Sequence, residues 1–171
     1  MSITMSSASV PVFVRMLTNL SAWLDKAESH AQSKKFDPSV YLGTRLAPDM
    51  LSFTTQIQIA CDTAKFCVGR LGGVEAPKFS DAESSLADLR ARIDATIAYL
   101  NSVPAAQIDG SEDKDITIPR RDGSMLMKGE AYLKHYALPN FFFHVTTAYA
   151  LLRHKGVEVG KPDYLGAPPK A

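Results

Sequence analysis

The chain has 171 residues, 46% of them hydrophobic and 22% charged, with nineteen basic residues against eighteen acidic ones and a formal net charge of +1. This composition describes one soluble globular domain over residues 1–171, large enough to bury a core without metal or disulfide staples. The interleaved charges provide no basic face for nucleic acid, no run reaches the ~20 apolar residues of a membrane span, and Met1–Ser9 shows no leader pattern, so the expected location is the cytoplasm.

The first predicted helix follows Ser9 and Pro11, carries Phe13, Leu17, Leu20, Leu24, Ala27 and Ala31 on one face, and ends near Ser33. Trp23, Lys26 and His30 lie opposite that stripe. The second helix begins at Pro48 and Asp49, repeats apolar residues from Met50 and Phe53 through Ile57, Ala60, Ala64, Cys67, Val68 and Leu71, and stops at Gly72-Gly73. Ile59 and Phe66 form a second stripe on it, read equally as packing under the preceding loop or as a partner surface. Cys61 and Cys67 are about 9 Å apart along this helix, too far to pair with each other within it, and without any CxxC motif they read as small buried hydrophobes in a reducing compartment. Asp62 and Lys65 read as an ion pair on a solvated face. The run Gly69-Arg70-Leu71-Gly72-Gly73 ends a helix rather than opening one, the wrong context for a phosphate loop.

Ser80 with Glu83 predicts a capping box for the third helix, on which Ala82, Leu86, Leu89, Ile93, Ile97 and Leu100 recur before the stop at Asn101-Ser102. The alternation in Asp115-Ile116-Thr117-Ile118 and Met125-Leu126-Met127, either side of Asp122-Gly123, predicts a small β-hairpin that must lie on the helices, since a lone hairpin is unstable in water. The fourth helix starts near Gly129, is interrupted at Pro139, and continues through Phe141, Val145, Ala148 and Leu152 to His154-Lys155-Gly156. After it, a tail with Gly160, Pro162, Gly166, Pro168 and Pro169 is expected to run irregularly over the surface. The fold class is therefore all-α, a four-helix bundle with a hairpin insertion before the last helix.

Candidate site residues concentrate on that last helix. His144 sits at the edge of its apolar face and reads either as a core-edge histidine held by a hydrogen bond or as a binding or acid/base group. Asn140, just after Pro139, reads as a cap at a helix start, and Tyr149 and Tyr132 could bring hydroxyls near His144, although aromatics at helical spacing are more often core. His135 reads as solvent-facing and His154 as a cation at a helix C-terminus. Successive helical residues diverge by ~100°, so Phe141, Phe142 and Phe143 cannot all face one core. No nucleophile elbow, phosphate loop or carboxylate pair on one helix face accompanies them.

The run Leu138-Pro139-Asn140-Phe141-Phe142-Phe143-His144-Val145-Thr146-Thr147-Ala148-Tyr149, followed by Leu152-Arg153-His154-Lys155-Gly156-Val157 and Asp163-Tyr164-Leu165-Gly166, resembles the DinB/YfiT superfamily of metalloenzyme folds, within a bacterial branch that is a domain of unknown function. A looser likeness covers Gln58, Ala60, Asp62, Ala64 and Lys65. The resemblance implies a DinB-like helical bundle and, in the wider superfamily, a divalent metal held by three histidines, one on the second helix and two spaced four apart on the last. Here His144 fills one place, Ala148 stands four residues on, and the second helix has no histidine. The leading expectation is a small ligand bound in a bundle pocket near His144, Tyr149, Asn140, Phe141 and Asp62, with the metal site degenerate or absent and no cofactor. A metal-dependent thiol transferase, with His144 a ligand and Asp62 or Gln58 supplying oxygens, is the enzymatic alternative, and a structural or stress-related interaction protein using Ile59 and Phe66 is the third. A homodimer is the expected partner arrangement.

Overall fold

Four long helices share one core in the computed structural model, which describes residues 2–168; Pro169 lies outside the described residues. Helix α1 spans Val10–Lys34 and ends where Lys35 turns left-handed at φ 60°. Its stripe of Phe13, Leu17, Leu20, Leu24, Ala27 and Ala31 is buried, as the spacing predicts. Helix α2, Phe53–Gly72, starts at Ser52, whose Oγ accepts from the Thr55 amide, and not at Pro48-Asp49. The reason lies upstream: the Phe53 and Thr54 amides bond back to the carbonyls of Thr44 and Leu42, which holds the preceding segment as a loop. Gly73, at φ 67°, closes the helix.

Helix α3 covers Leu86–Ser102, four residues shorter at its start than Ala82 implies. Its cap is Ser85, accepting from the Asp88 amide, while the Asp88 carboxylate takes the Ser84 amide. The Ser80/Glu83 capping box does not form, because that segment is bound to Arg92 instead. A one-turn helix, α4 (Ala105–Ile108), leads to strands β1 (Asp115–Arg120) and β2 (Gly123–Lys128), an antiparallel pair in register Ile116 with Met127 and Ile118 with Met125. Ile116 and Ile118 are buried against the helical body, and Leu126 faces outward.

The last long helix is not interrupted at Pro139. A short helix α5 (Gly129–Tyr132) runs directly into a π-helical turn (Leu133–Ala137) and then α6 (Leu138–His154), a continuous path from residue 129 to 154. Proline has no N–H to donate and its ring collides with the carbonyl four residues back, here that of His135. The wider π turn, closed by the Leu138 amide on the Leu133 carbonyl, accommodates both problems without ending the helix. Gly129 is required at the join with the hairpin, since a Cβ there would lie 1.9 Å from the Ser111 carbonyl oxygen.

The tail is also more ordered than its composition suggests. Helix α7 (Lys161–Leu165) lies across α1, held by Asn19 and Arg15 on the carbonyls of Tyr164 and Leu165 and by the Lys26–Asp163 ion pair at 2.6 Å. Trp23 donates to the Asp163 carbonyl and stacks on Tyr164 at 5.7 Å. The face of α1 opposite its main stripe is thus covered by the end of the chain. No helix is long and apolar enough to cross a membrane among the described residues.

Candidate functional site

Two polar pairs join α2 and α6. Gln56 and Thr63 occupy positions three residues after Phe53 and Ala60, and so fall on or beside the buried stripe of α2. His144 and Asn140, four apart, face them from α6. His144 Nδ1 lies 2.7 Å from Gln56 Oε1, and Asn140 Nδ2 donates to Thr63 Oγ1 at 2.8 Å.

The first pair fixes a tautomer. Gln56 Nε2 donates to the Leu51 carbonyl, which can only accept, so the amide oxygen faces the imidazole and Nδ1 carries the proton. The other nitrogen, Nε2, keeps its lone pair and has no hydrogen-bond partner among the described residues. With His144 only 7% exposed, burial pushes its pKa below the ordinary histidine value and keeps the ring neutral. A carbonyl-oriented neutral imidazole is the arrangement seen in metal-binding histidines. The rest of the donor set does not fit a metal, however. Among the described residues, Gln56 is the only side-chain hydrogen-bond partner of His144, and no group of three or more His, Cys, Asp or Glu is placed to hold an ion, where a catalytic site typically needs three protein ligands.

The second pair opens onto a half-open cleft of about 200 Å³ between α2, the hairpin and the π turn. Asn140, Thr63 and Asp62 line it with Arg70, Tyr132 and Tyr136, and Ile59, Phe66, Ile118 and Pro119 supply its apolar wall. Tyr132, Tyr136 and Asn140 recur at intervals of four through the π turn, so the helix irregularity directly shapes this wall. Arg70 donates to the Tyr132 hydroxyl at 2.9 Å. Burial, with Cys67 adding to it, pushes the Tyr132 phenol up to about 12, so it remains a protonated hydroxyl.

Asp62, on the cleft wall, joins an ion network centred on two buried cations. Arg92, with its side chain 2% exposed, bonds to Asp62 at 2.8 Å, Asp81 at 2.9 Å and Glu83 at 2.8 Å. Lys65, 3% exposed, pairs with Asp62 at 2.8 Å and sits 4.1 Å from the centroid of Phe79. The Asp62/Lys65 pair is therefore not on a solvated face; the loop carrying Phe79, Asp81 and Glu83 folds over it. Gln58 donates to Glu83. Burial raises the Glu83 pKa, but the bonds from Arg92 and Gln58 outweigh it and hold the carboxyl below its usual range.

Of the five residues the sequence proposes, Asn140 and Asp62 line the cleft, and His144 is one helical turn from Asn140. Phe141 is wholly buried, edge-on to Phe13 at 4.8 Å, and Tyr149 points to the α1 side, packed on Trp23 and bonded to the Val159 carbonyl. Asn140 is not a cap, because the continuous helix leaves no free amides at that point. His135 is exposed. Gln56, Thr63, Arg70, Tyr136 and Arg92 escape the sequence reading. The signal for Gln56, Thr63 and Arg92 was a polar residue spaced as though it belonged to an apolar stripe.

Residues 5–165 match the family described as a domain of unknown function, DUF1993. No curated protein matches the chain. Among solved structures, it is similar to a DinB family member protein from Shewanella denitrificans, at 46% identity over 97% of this chain and 94% of that one, with a TM-score of 0.91. A family match over most of the length, together with that structural likeness, places the chain in the DUF1993 family, within the DinB-like superfamily.

Proposed function

We propose that the protein is a small-ligand binder, with the ligand held in the α2–α6 cleft beside Asn140, one turn from His144, and no divalent metal at the histidine position of the superfamily. The observation carrying this reading is the Asn140–Thr63 pair, two polar side chains placed between α2 and α6 where they open into a half-open cleft of mixed polar and apolar lining. Concave sites with a few placed polar groups in an apolar lining are the usual form of a small-molecule site. Against a metal-dependent transferase stand the cations on its proposed oxygen donor: Asp62 Oδ1 is bound by both Lys65 and Arg92, while the Gln58 amide is tied through Nε2 to Glu83. A library of small metabolites, screened by ligand-observed NMR against the full chain and Asn140→Leu, tests the reading. Binders that the variant loses, with metal content below one equivalent by elemental analysis, are expected; a stoichiometric metal at His144, or an absence of binders, overturns it.

Self-association is a separate proposal. Ile59 and Phe66, the second stripe of α2, both line the cleft, with Phe66 38% exposed at its rim. Phe143, 56% exposed, instead borders a shallow apolar groove with Leu46, Pro139 and Phe142, and this surface is the one a second copy would cover.

A further inference from the structure

The cleft beside Asn140 holds more hydrogen-bond donors than acceptors, and this imbalance bears on what occupies it. Arg70 meets no carboxylate among the described residues. Its place in the last turn of α2 would explain a cation through the helix dipole alone. A purely dipolar role would leave the guanidinium free in solvent near the terminal carbonyls. Arg70 instead lies over the rings of Phe66 and Tyr132, 5.2 and 5.8 Å from their centroids, and lines the cleft with them. After its bond to Tyr132, it retains further N–H groups in a planar fork suited to a carboxylate.

The neighbouring hydroxyls point the same way. Tyr132 is 1% exposed; its oxygen accepts from Arg70, and its own proton has no acceptor among the described residues. Thr63, 9% exposed, accepts from Asn140 and is likewise left with an unused donor. Unused buried donors cost free energy until an acceptor arrives. Asp62, the carboxylate lining the cleft, is paired through Oδ1 with Lys65 and with Arg92, the latter shared with Asp81 and Glu83, which reduces its repulsion of an anion. A volume of about 200 Å³ is below the ~300–1,000 Å³ of sites for drug-sized ligands, so the occupant is a single ring or a short chain.

Taking the cleft as the binding site, we propose that its ligand is a small organic acid, the carboxylate received by Arg70 and the Tyr132 hydroxyl and the apolar body laid against Ile59, Phe66 and Ile118. Amide-detected NMR titrations of the full chain with benzoate, hexanoate and the neutral isostere benzamide test this. Either acid is expected to shift the amides of Arg70, Ile118 and Asn140 and to bind tighter than benzamide. Arg70→Met should weaken the acids by about tenfold or more, the scale of one charge-assisted hydrogen bond, without weakening benzamide. Tyr132→Phe, which keeps the ring and so the packing, should weaken them severalfold, and it carries the test if Arg70→Met does not fold. Benzamide binding at the same amides as tightly as the acids overturns the carboxylate assignment while leaving the cleft a ligand site. Unchanged acid affinity in a folded Arg70→Met or Tyr132→Phe overturns it too, and binding of none of the three probes overturns both this assignment and the cleft as a ligand site.

Discussion

His144 is held by one hydrogen bond in a seam that excludes most solvent, and both its stability and its pH response follow from that. Truncation in His144→Ala leaves the Gln56 oxygen buried without a donor, for an expected loss of about 1–3 kcal/mol in urea denaturation. His144→Gln, which can still present an amide donor, should lose less. Because burial lowers the folded pKa, the unfolded chain binds a proton more readily than the native one. Stability associated with this residue is therefore intact above the unfolded histidine value, about 6.5, and falls as pH drops below it. Melting temperatures measured from about pH 8 to about pH 5.5 should decline in the wild type and decline less in His144→Gln. An equal slope in both would remove His144 as the cause. The residue was conspicuous in the sequence as a polar group on an apolar face, whereas its partner is 88 positions away and lay outside any local pattern.

At the scale of elements, the buried guanidinium of Arg92 decides where α3 begins. It draws the carbonyl of Ser80 and the carboxylates of Asp81 and Glu83 onto one side chain, and the same group ties that loop to Asp62 on α2. Removing Arg92 leaves Glu83, 8% exposed, without its cation. Arg92→Leu is expected to cost about 3–5 kcal/mol of folding stability and to free the segment before α3, visible as faster amide exchange across residues 79–85. Near-wild-type stability in that variant would show the network to be neutral. Glu83, held below its usual pKa by Arg92 and Gln58 against the effect of burial, adds stability at neutral pH that is lost as pH falls through its folded value. The π turn is a second decision of this kind. Pro139 signals trouble for a helix in any sequence, but whether the chain breaks or widens depends on what the flanking residues pack against, here Tyr132, Leu133 and Ala137 in the core.

Across the whole molecule, the proposed self-association rests on Phe143 and its groove on α6, so Phe143→Glu should shift the mass in sedimentation toward monomer. Phe66→Glu, at the rim of the cleft beside Lys65 and Arg70, should leave it unchanged. A wild-type monomer at high concentration would count against the dimer, and the reverse order of effects would return the interface to α2.

Apolar periodicity by itself determined that there are four long helices and a hairpin, and glycine marked the ends at Gly73 and Gly156, because each depends on residues within a turn or two of one another. Only the tertiary structure decided that Gln56 holds His144, that Arg92 gathers the loop before α3, that the tail covers Trp23, and that Asp62 and Asn140 share a cleft with Arg70 while Tyr149 and Phe141 do not. The reason is range: helix propensity and capping act over three or four residues, whereas a buried polar group can take its partner from any segment the fold brings within hydrogen-bond reach.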